Sequence, residues 1–310
     1  MSTKYASAVA AVKAMETTLL TGSDIEQLIN ARTLKETEAL LAAKKTPGSS
    51  LSDVWEMLRS SAPDSRELKI LLYRNDFHNL KAVLKAKLSN RDPSVYYVEP
   101  SNVTLEDLDH GISSKDYSGL PEYMREPAEE AYELLTRTLD GQLSDSLIDA
   151  ASLNAMQRDA ADFGGSFMQR YAVLTTVCAD IKTAYRCSIM KKSRSFLETA
   201  ICGSPELDKE SLIRAAQSGT DTLFRYLEDT AYSGAAELLK TSPAQFEKWC
   251  DDVIMEHAES ARMQAFGPEP LAAYYIAKEA EIKDVRIIKV CKECGTDTET
   301  IMERMRKLYV

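Results

Sequence analysis

The sequence predicts an all-α protein built from three similar helical lobes, and three observations carry that prediction. Only 12 of the 310 residues are glycine, against an average share of about 7%, and runs of β-branched residues are few. Apolar residues recur at every third and fourth position over long stretches, the spacing of a helix with one buried stripe. An acid or amide, an aliphatic residue and a base recur as Asn79-Leu80-Lys81, Asp180-Ile181-Lys182 and Asp284-Val285-Arg286, separated by 101 and 104 residues. Each is followed by a Glu-x-aliphatic helix start, at Glu106-Asp107-Leu108, Glu210-Ser211-Leu212 and Glu299-Thr300-Ile301, with a shortened connection in the third copy. The chain exceeds the usual domain size of about 100 to 200 residues. An internal triplication divides it into helical lobes at 1–110, 111–216 and 217–310.

A first helix is expected from Tyr5 to Leu20, stopping at Thr21-Gly22. Ser23 or Asp24 can then accept the first free N–H groups of a second helix that reaches Ala43. Thr46-Pro47-Gly48-Ser49-Ser50 breaks the pattern before a short helix near Leu51 to Arg59, and the chain restarts at Ser61-Ala62-Pro63-Asp64. Leu68, Leu71, Leu72, Leu80, Val83, Leu84 and Leu88 give the stripe of a long helix that contains the first marker. Tyr96-Tyr97-Val98 is strand-like, but it is confined between Pro93 and Pro100, and one short strand makes no sheet.

Leu120-Pro121 opens the next helix, because the N–H that proline lacks would have no intrahelical partner there; Tyr132, Leu135 and Leu139 line it. Another helix runs from Leu143 to Phe163 and breaks at Gly164-Gly165. In the long helix that follows, Tyr171, Leu174, Cys178, Ile181 and Tyr185 share a face, so the second marker is placed as the first is. The third lobe starts near Gly219, uses Ser242-Pro243 as N-cap and first helical residue, and turns at Phe266-Gly267-Pro268-Glu269-Pro270. The third marker lies on the helix after that turn, and Thr296-Asp297-Thr298-Glu299 reads as a capping box for a last helix to Val310.

On the third long helix Glu279, Lys283 and Arg286 follow i, i+4, i+7 and share a face. A Glu–Lys pair at this spacing stabilises a helix by only about 0.2 to 0.5 kcal/mol, too little to explain why Lys81, Lys182 and Arg286 recur. Asn79, Lys81, Asp180, Lys182, Asp284 and Arg286 are therefore candidate cavity-lining residues that place the long helices. Lys191, Lys192 and Arg194 form a candidate partner-docking cluster after the second long helix, where the helix dipole also favours cations.

A formal charge of −10 and a pI near 5.1 would repel a polyphosphate backbone, and no basic, aromatic-interleaved stripe offsets it, so nucleic acid is not an expected partner. No apolar run approaches the 18 or so residues needed to span a bilayer. Cysteines 178, 187, 202, 250, 291 and 294 are irregularly spaced in a chain without a secretory leader, which suits reduced thiols in the cytosol. Cys291-Lys292-Glu293-Cys294 is a lone CxxC without the further ligands of a zinc site, and it closes a helix, where the dipole disfavours a thiolate. His78, His110 and His257 form no paired arrangement. Glu256, His257 and Glu259 resemble half of a di-metal helix without its second half. Phosphate loops and nucleophile elbows are absent. No cofactor or metal is expected, and a helical enzyme using Cys291 and Cys294 as a thiol or metal site is the alternative to a structural role.

The chain resembles the C-subunit family of V-type (archaeal and bacterial A/V-type) rotary ATPases, related to the d subunit of eukaryotic vacuolar ATPases. The resemblance is carried by Tyr5, Val12-Lys13-Ala14-Met15-Glu16 and Leu19-Leu20, and by Asp76-Phe77-His78-Asn79-Leu80-Lys81-Ala82-Val83-Leu84-Lys85. Phe266-Gly267-Pro268-Glu269-Pro270-Leu271, the block Ala277 to Ile288 and the final Tyr309-Val310 complete it. It implies a funnel-shaped protein with pseudo-threefold symmetry, without catalytic residues or cofactor of its own. A protein of this family would be a socket in the central stalk, on the cytoplasmic side of a membrane complex. It would join the D and F shaft subunits to the membrane rotor ring of c/K subunits, coupling ATP hydrolysis or synthesis to proton or sodium-ion transport.

Overall fold

The computed structural model describes residues 3–44 and 50–310; the expected break at Thr46-Pro47-Gly48-Ser49 lies outside them. The described chain is helical throughout, and its β-pairing amounts to one isolated bridge between Ser204 and Leu207. The helices are α1 (Ala6–Glu16), α2 (Gly22–Asn30), α3 (Leu34–Ala43), α4 (Leu51–Ser61), α5 (Arg66–Lys69), α6 (Tyr73–Ser89), α7 (Leu105–Ser114), α8 (Glu122–Thr138), α9 (Gly141–Phe163), α10 (Ser166–Met190), α11 (Arg194–Ala200), α12 (Lys209–Gln217), α13 (Thr220–Glu228), α14 (Ser233–Thr241), α15 (Pro243–Glu259), α16 (Glu269–Glu293) and α17 (Thr298–Arg304).

Several expected boundaries move, each for a local reason. The second helix is capped by Thr21, not Ser23 or Asp24: the Thr21 hydroxyl accepts from the Asp24 N–H while the Asp24 carboxylate accepts from the Thr21 N–H. It ends at Asn30 rather than Ala43, because Thr33 caps a new helix through the Glu36 N–H. Tyr96-Tyr97-Val98 is not a strand; a 3₁₀ turn over Pro93–Tyr96 starts on the Asp92 side chain. Ser242 precedes Pro243 at α15, but its side chain makes no capping bond. The last helix stops at Arg304, and residues 305–310 continue as non-helical chain whose polar groups bond to α15 and α1.

The chain packs as two compact units, Met1–Leu68 with Glu237–Val310, and Lys69–Ala236. In the first, α16 is the central element and touches α1, α3, α4, α15 and α17. Its stretch Pro270 to Lys278 is buried on every side, as expected of a core helix, and the Tyr275 ring meets Trp55 edge-on at 5.9 Å. Below it Ile288 and Cys291 pack with Leu20, Ile25, Leu28, Ile29 and Ile301. In the second unit α9 is central, in contact with α6, α8, α10 and α11. Small buried residues, among them Ser144, Ala150, Ser152, Ala155 and Ala160, leave room for close approach on several sides.

The three marker-bearing helices, α6, α10 and α16, end in the same way. After each, one residue takes a left-handed conformation, Asn90 (φ 51°), Lys191 (φ 52°) or Gly295 (φ 65°). The next N–H reaches back to a carbonyl five residues earlier: Arg91 to Ala86 at 3.0 Å, Lys192 to Cys187 at 3.0 Å and Thr296 to Cys291 at 2.9 Å. This termination satisfies carbonyls that the helix would otherwise leave open. A side-chain cap then starts a short helix, with Asp92, Ser193 and Asp297 accepting from the N–H groups of Ser94, Phe196 and Thr300. Left-handed residues and caps are both spaced by 101 and 104 residues, the spacing of the sequence markers. Counted from these caps, α17 follows α16 as α11 follows α10, whereas Glu106 and Glu210 start α7 and α12, which come later after their caps. Glu299 lies two residues after its cap residue Asp297, as Ser195 does after Ser193.

Candidate functional site

The acid or amide of each marker is buried and holds the chain that returns from its own helix end. Asn79 is fully buried; its amide donates to the Val98 carbonyl at 3.0 Å and accepts from the Val98 N–H at 2.8 Å. Asp180 accepts from the N–H groups of Cys202 at 3.0 Å and Gly203 at 2.7 Å. Asp284, 1% exposed, faces Arg306: its Oδ1 lies 4.0 Å from the guanidinium Nε, and neither oxygen has a hydrogen bond of normal geometry, with the Arg306 backbone N–H close by. The polar group thus closes a loop of 19, 22 and 22 residues respectively.

Burial dominates the electrostatics of these groups. It raises both Asp180 and Asp284 to about 6, against the N–H donors of Cys202 and Gly203 in one case and against Arg306 in the other. Asp76, three residues before Asn79 and so on the same helix face, is also raised by burial despite four donors. These are the Ser101 hydroxyl at 2.7 Å, the Asn102 N–H at 2.7 Å, the Asn102 amide at 2.8 Å and the Tyr123 hydroxyl at 2.7 Å. Asp76 does the larger share of the first clasp. The marker pattern passes over it, although its i−3 position relative to Asn79 is a signal the sequence contains.

Asn79 and Asp180 turn inward and bond the backbone of their own continuation, whereas Asp284, buried as well, lines a small pocket with Ala277, Lys307 and Tyr309. The bases sit two residues further on, about 200° around the helix. Lys81 bonds Asp149 at 2.6 Å and lines a cavity in the second unit, Lys182 is half-buried, and Arg286 is exposed. Lys283, expected on the Glu279 face, donates to Asp251 of α15. Lys278 and Glu281 make a buried pair, and Glu281 also accepts the Leu20 N–H at 2.6 Å.

In the candidate docking cluster the charges are unequally committed. Arg194 is held by Glu198 at 2.8 Å and by Glu210 at 2.7 Å, and Lys192 lies 4.6 Å over the Phe196 ring while donating to Gln142. Lys191 is the left-handed residue itself and is exposed, beside exposed Ile189 and Met190. Cys291 is packed in the core, 3.8 Å from Arg304, and Cys294 is exposed at the helix end, so the two thiols do not share an environment. Among the described residues no three His, Cys, Asp or Glu side chains gather as a metal site. Glu256 and Glu259 both hold Lys307.

Fold and site together define an all-helical protein in which buried polar groups tie long helices to their own continuations. Among the described residues no helix is long and apolar enough to cross a membrane. The family model described as "ATP synthase (C/AC39) subunit" matches residues 48–304, and the chain belongs to that family. It is 27% identical over 265 residues to the C subunit of the V-type sodium ATPase of Enterococcus hirae, covering 83% of this chain and 80% of that protein.

Proposed function

We propose that this chain is a non-catalytic central-stalk component of a V-type rotary ATPase, lying on the cytoplasmic side of the membrane. In this reading it is a socket of three lobes, 1–110, 111–216 and 217–310, that joins the D/F shaft to the membrane rotor ring. It couples ATP hydrolysis or synthesis to the transport of protons or sodium ions. The observation that carries the reading is the family match over most of the chain, supported by the name of the E. hirae relative. The clasps suit the role, since a part that passes torque must not let its helix ends slide. Lys81, Lys182 and Arg286 are proposed to line a central cavity, and Lys191, Lys192 and Arg194 to dock a partner protein of the complex.

The test is co-purification and coupling. Affinity-tagged chain should bring down the shaft proteins and the rotor ring, and its deletion should uncouple ATP hydrolysis from ion pumping. Failure to retain either partner, together with unimpaired pumping after deletion, would refute the proposal.

A further inference from the structure

A cavity of about 370 Å³ lies in the second unit between α6, the turn Pro93–Tyr96 and α9, within the size range of small-molecule pockets, about 300 to 1,000 Å³. Its lining is cationic. Lys81 and Lys85 come from α6 and Arg91 from just beyond the helix end, against one lining carboxylate, Asp145. In a chain of formal charge −10, such a concavity concentrates anions rather than repelling them. Lys81 and Lys85 are already bonded to Asp149 and Asp145. The Arg91 guanidinium has no hydrogen bond or ion pair among the described residues. Ala82, Ala86 and Tyr96 also line it; the Tyr96 carbonyl lies 3.2 Å from His78 Nε2, and the residue is about half exposed.

We propose that this cavity binds a phosphate monoester carrying a flat apolar body. A monoester bears a charge of about −1.5 to −2 at neutral pH and three acceptor oxygens, which suits the unbonded Arg91 guanidinium together with Lys81 and Lys85 of the same lining, whose ammonium groups would exchange Asp149 and Asp145 for the ligand. A carboxylate would be satisfied by Arg91 alone and would leave both lysines on their aspartates. Tyr96 and the two alanines supply the contact for the body of the ligand.

The test is calorimetric titration of the full chain with phenyl phosphate and with inorganic phosphate, plus flotation with vesicles containing phosphatidic acid, whose headgroup is the same monoester. Saturable one-site binding of phenyl phosphate is expected. It should be about tenfold weaker for inorganic phosphate, which lacks the ring, about tenfold weaker in Arg91→Gln, and weakened by salt. Because the Arg91 side chain bonds nothing in the described protein, its loss should leave the fold intact, checked by circular dichroism. Lys85→Gln serves as a second variant, expected to weaken binding several-fold. Flotation that phenyl phosphate competes away would assign the monoester to a lipid headgroup; phenyl phosphate binding without flotation would assign it to a soluble ligand. No saturable binding of any probe, or binding that neither variant weakens, would overturn the proposal.

Discussion

Asp284→Asn should stabilise the first unit at neutral pH, and only where the carboxylate is ionised. Burial raises this group from 3.8 to about 6. Roughly two pH units at about 1.4 kcal/mol each make its ionisation cost the fold up to about 3 kcal/mol at pH 7. With the side chain 1% exposed, solvent screening removes little of that. The sign follows from proton uptake: between about pH 4 and pH 6 the folded protein keeps a proton on Asp284 that the unfolded chain has released. This contribution is therefore fully present below about pH 4 and is lost as the pH rises through about 6. The charged groups that face it are Arg306 and Lys283, which lower the pKa, and Asp251, which raises it; burial outweighs the cations. Both tryptophans, Trp55 and Trp249, belong to this unit, so denaturant unfolding followed by tryptophan emission reads it separately. The stability difference between variant and parent should grow by about 2 to 3 kcal/mol from pH 4 to pH 7. A difference that stays level or shrinks as the pH rises would mean that Arg306 compensates the buried charge, and the reasoning would be wrong.

Arg306→Ala should have the opposite sign, costing the same unit about 2 to 3 kcal/mol at pH 7 because Asp251 and Asp284 lose their shared cation; the cost should fall toward pH 5 as Asp284 protonates. Asn79→Ala leaves the Val98 N–H and carbonyl without partners and should destabilise the second unit by about 1 to 3 kcal/mol, read from far-UV circular dichroism in denaturant. Gly203→Ala should cost that unit about 2 kcal/mol by the same assay. Gly203 has φ +77°, and an added Cβ would lie 2.7 Å from Lys209 Cβ.

The helical class and the repeat spacing are legible in the sequence because they rest on local signals: apolar periodicity, caps and a three-residue pattern. The way each marker works is not. Asn79 and Asp284 look like members of a charged helix face, and only the return of the chain 19 or 22 residues later shows that they point inward. Partners such as Val98 and Arg306 belong to irregular segments with no periodicity to read. The last helix falls short of Val310 for a related reason. Met305 to Val310 contains helix-compatible residues, but Arg306, Lys307 and Tyr309 find Asp251, Asp252 and Glu16, so tertiary partners override local propensity. The cavity beside Lys81 depends on α9, whose Asp149 is 68 residues away in sequence, and no spacing rule reports it.

The three clasps solve one physical problem at different electrostatic cost. An extended segment returning along a helix brings N–H groups to a surface that has no backbone acceptors left, since the carbonyls are used within the helix. Asn79 meets Val98 with both a donor and an acceptor and buries no charge. Asp76 buries a charge, but four donors surround it. Asp180 buries one with two N–H donors, and Asp284 buries one with a cation at 4.0 Å instead of a hydrogen bond. The cost of burying an ion falls with the number and closeness of its donors, so Asp284 is the least hydrogen-bonded of the three carboxylates, and burial raises it, like Asp180, to about 6. It is also the one whose partner lies in the last six residues of the described chain. The third long helix is thus closed on its continuation by the weakest of the clasps, and residues 305–310 are held chiefly by the bonds of Arg306, Lys307 and Tyr309 to Asp251, Asp252 and Glu16.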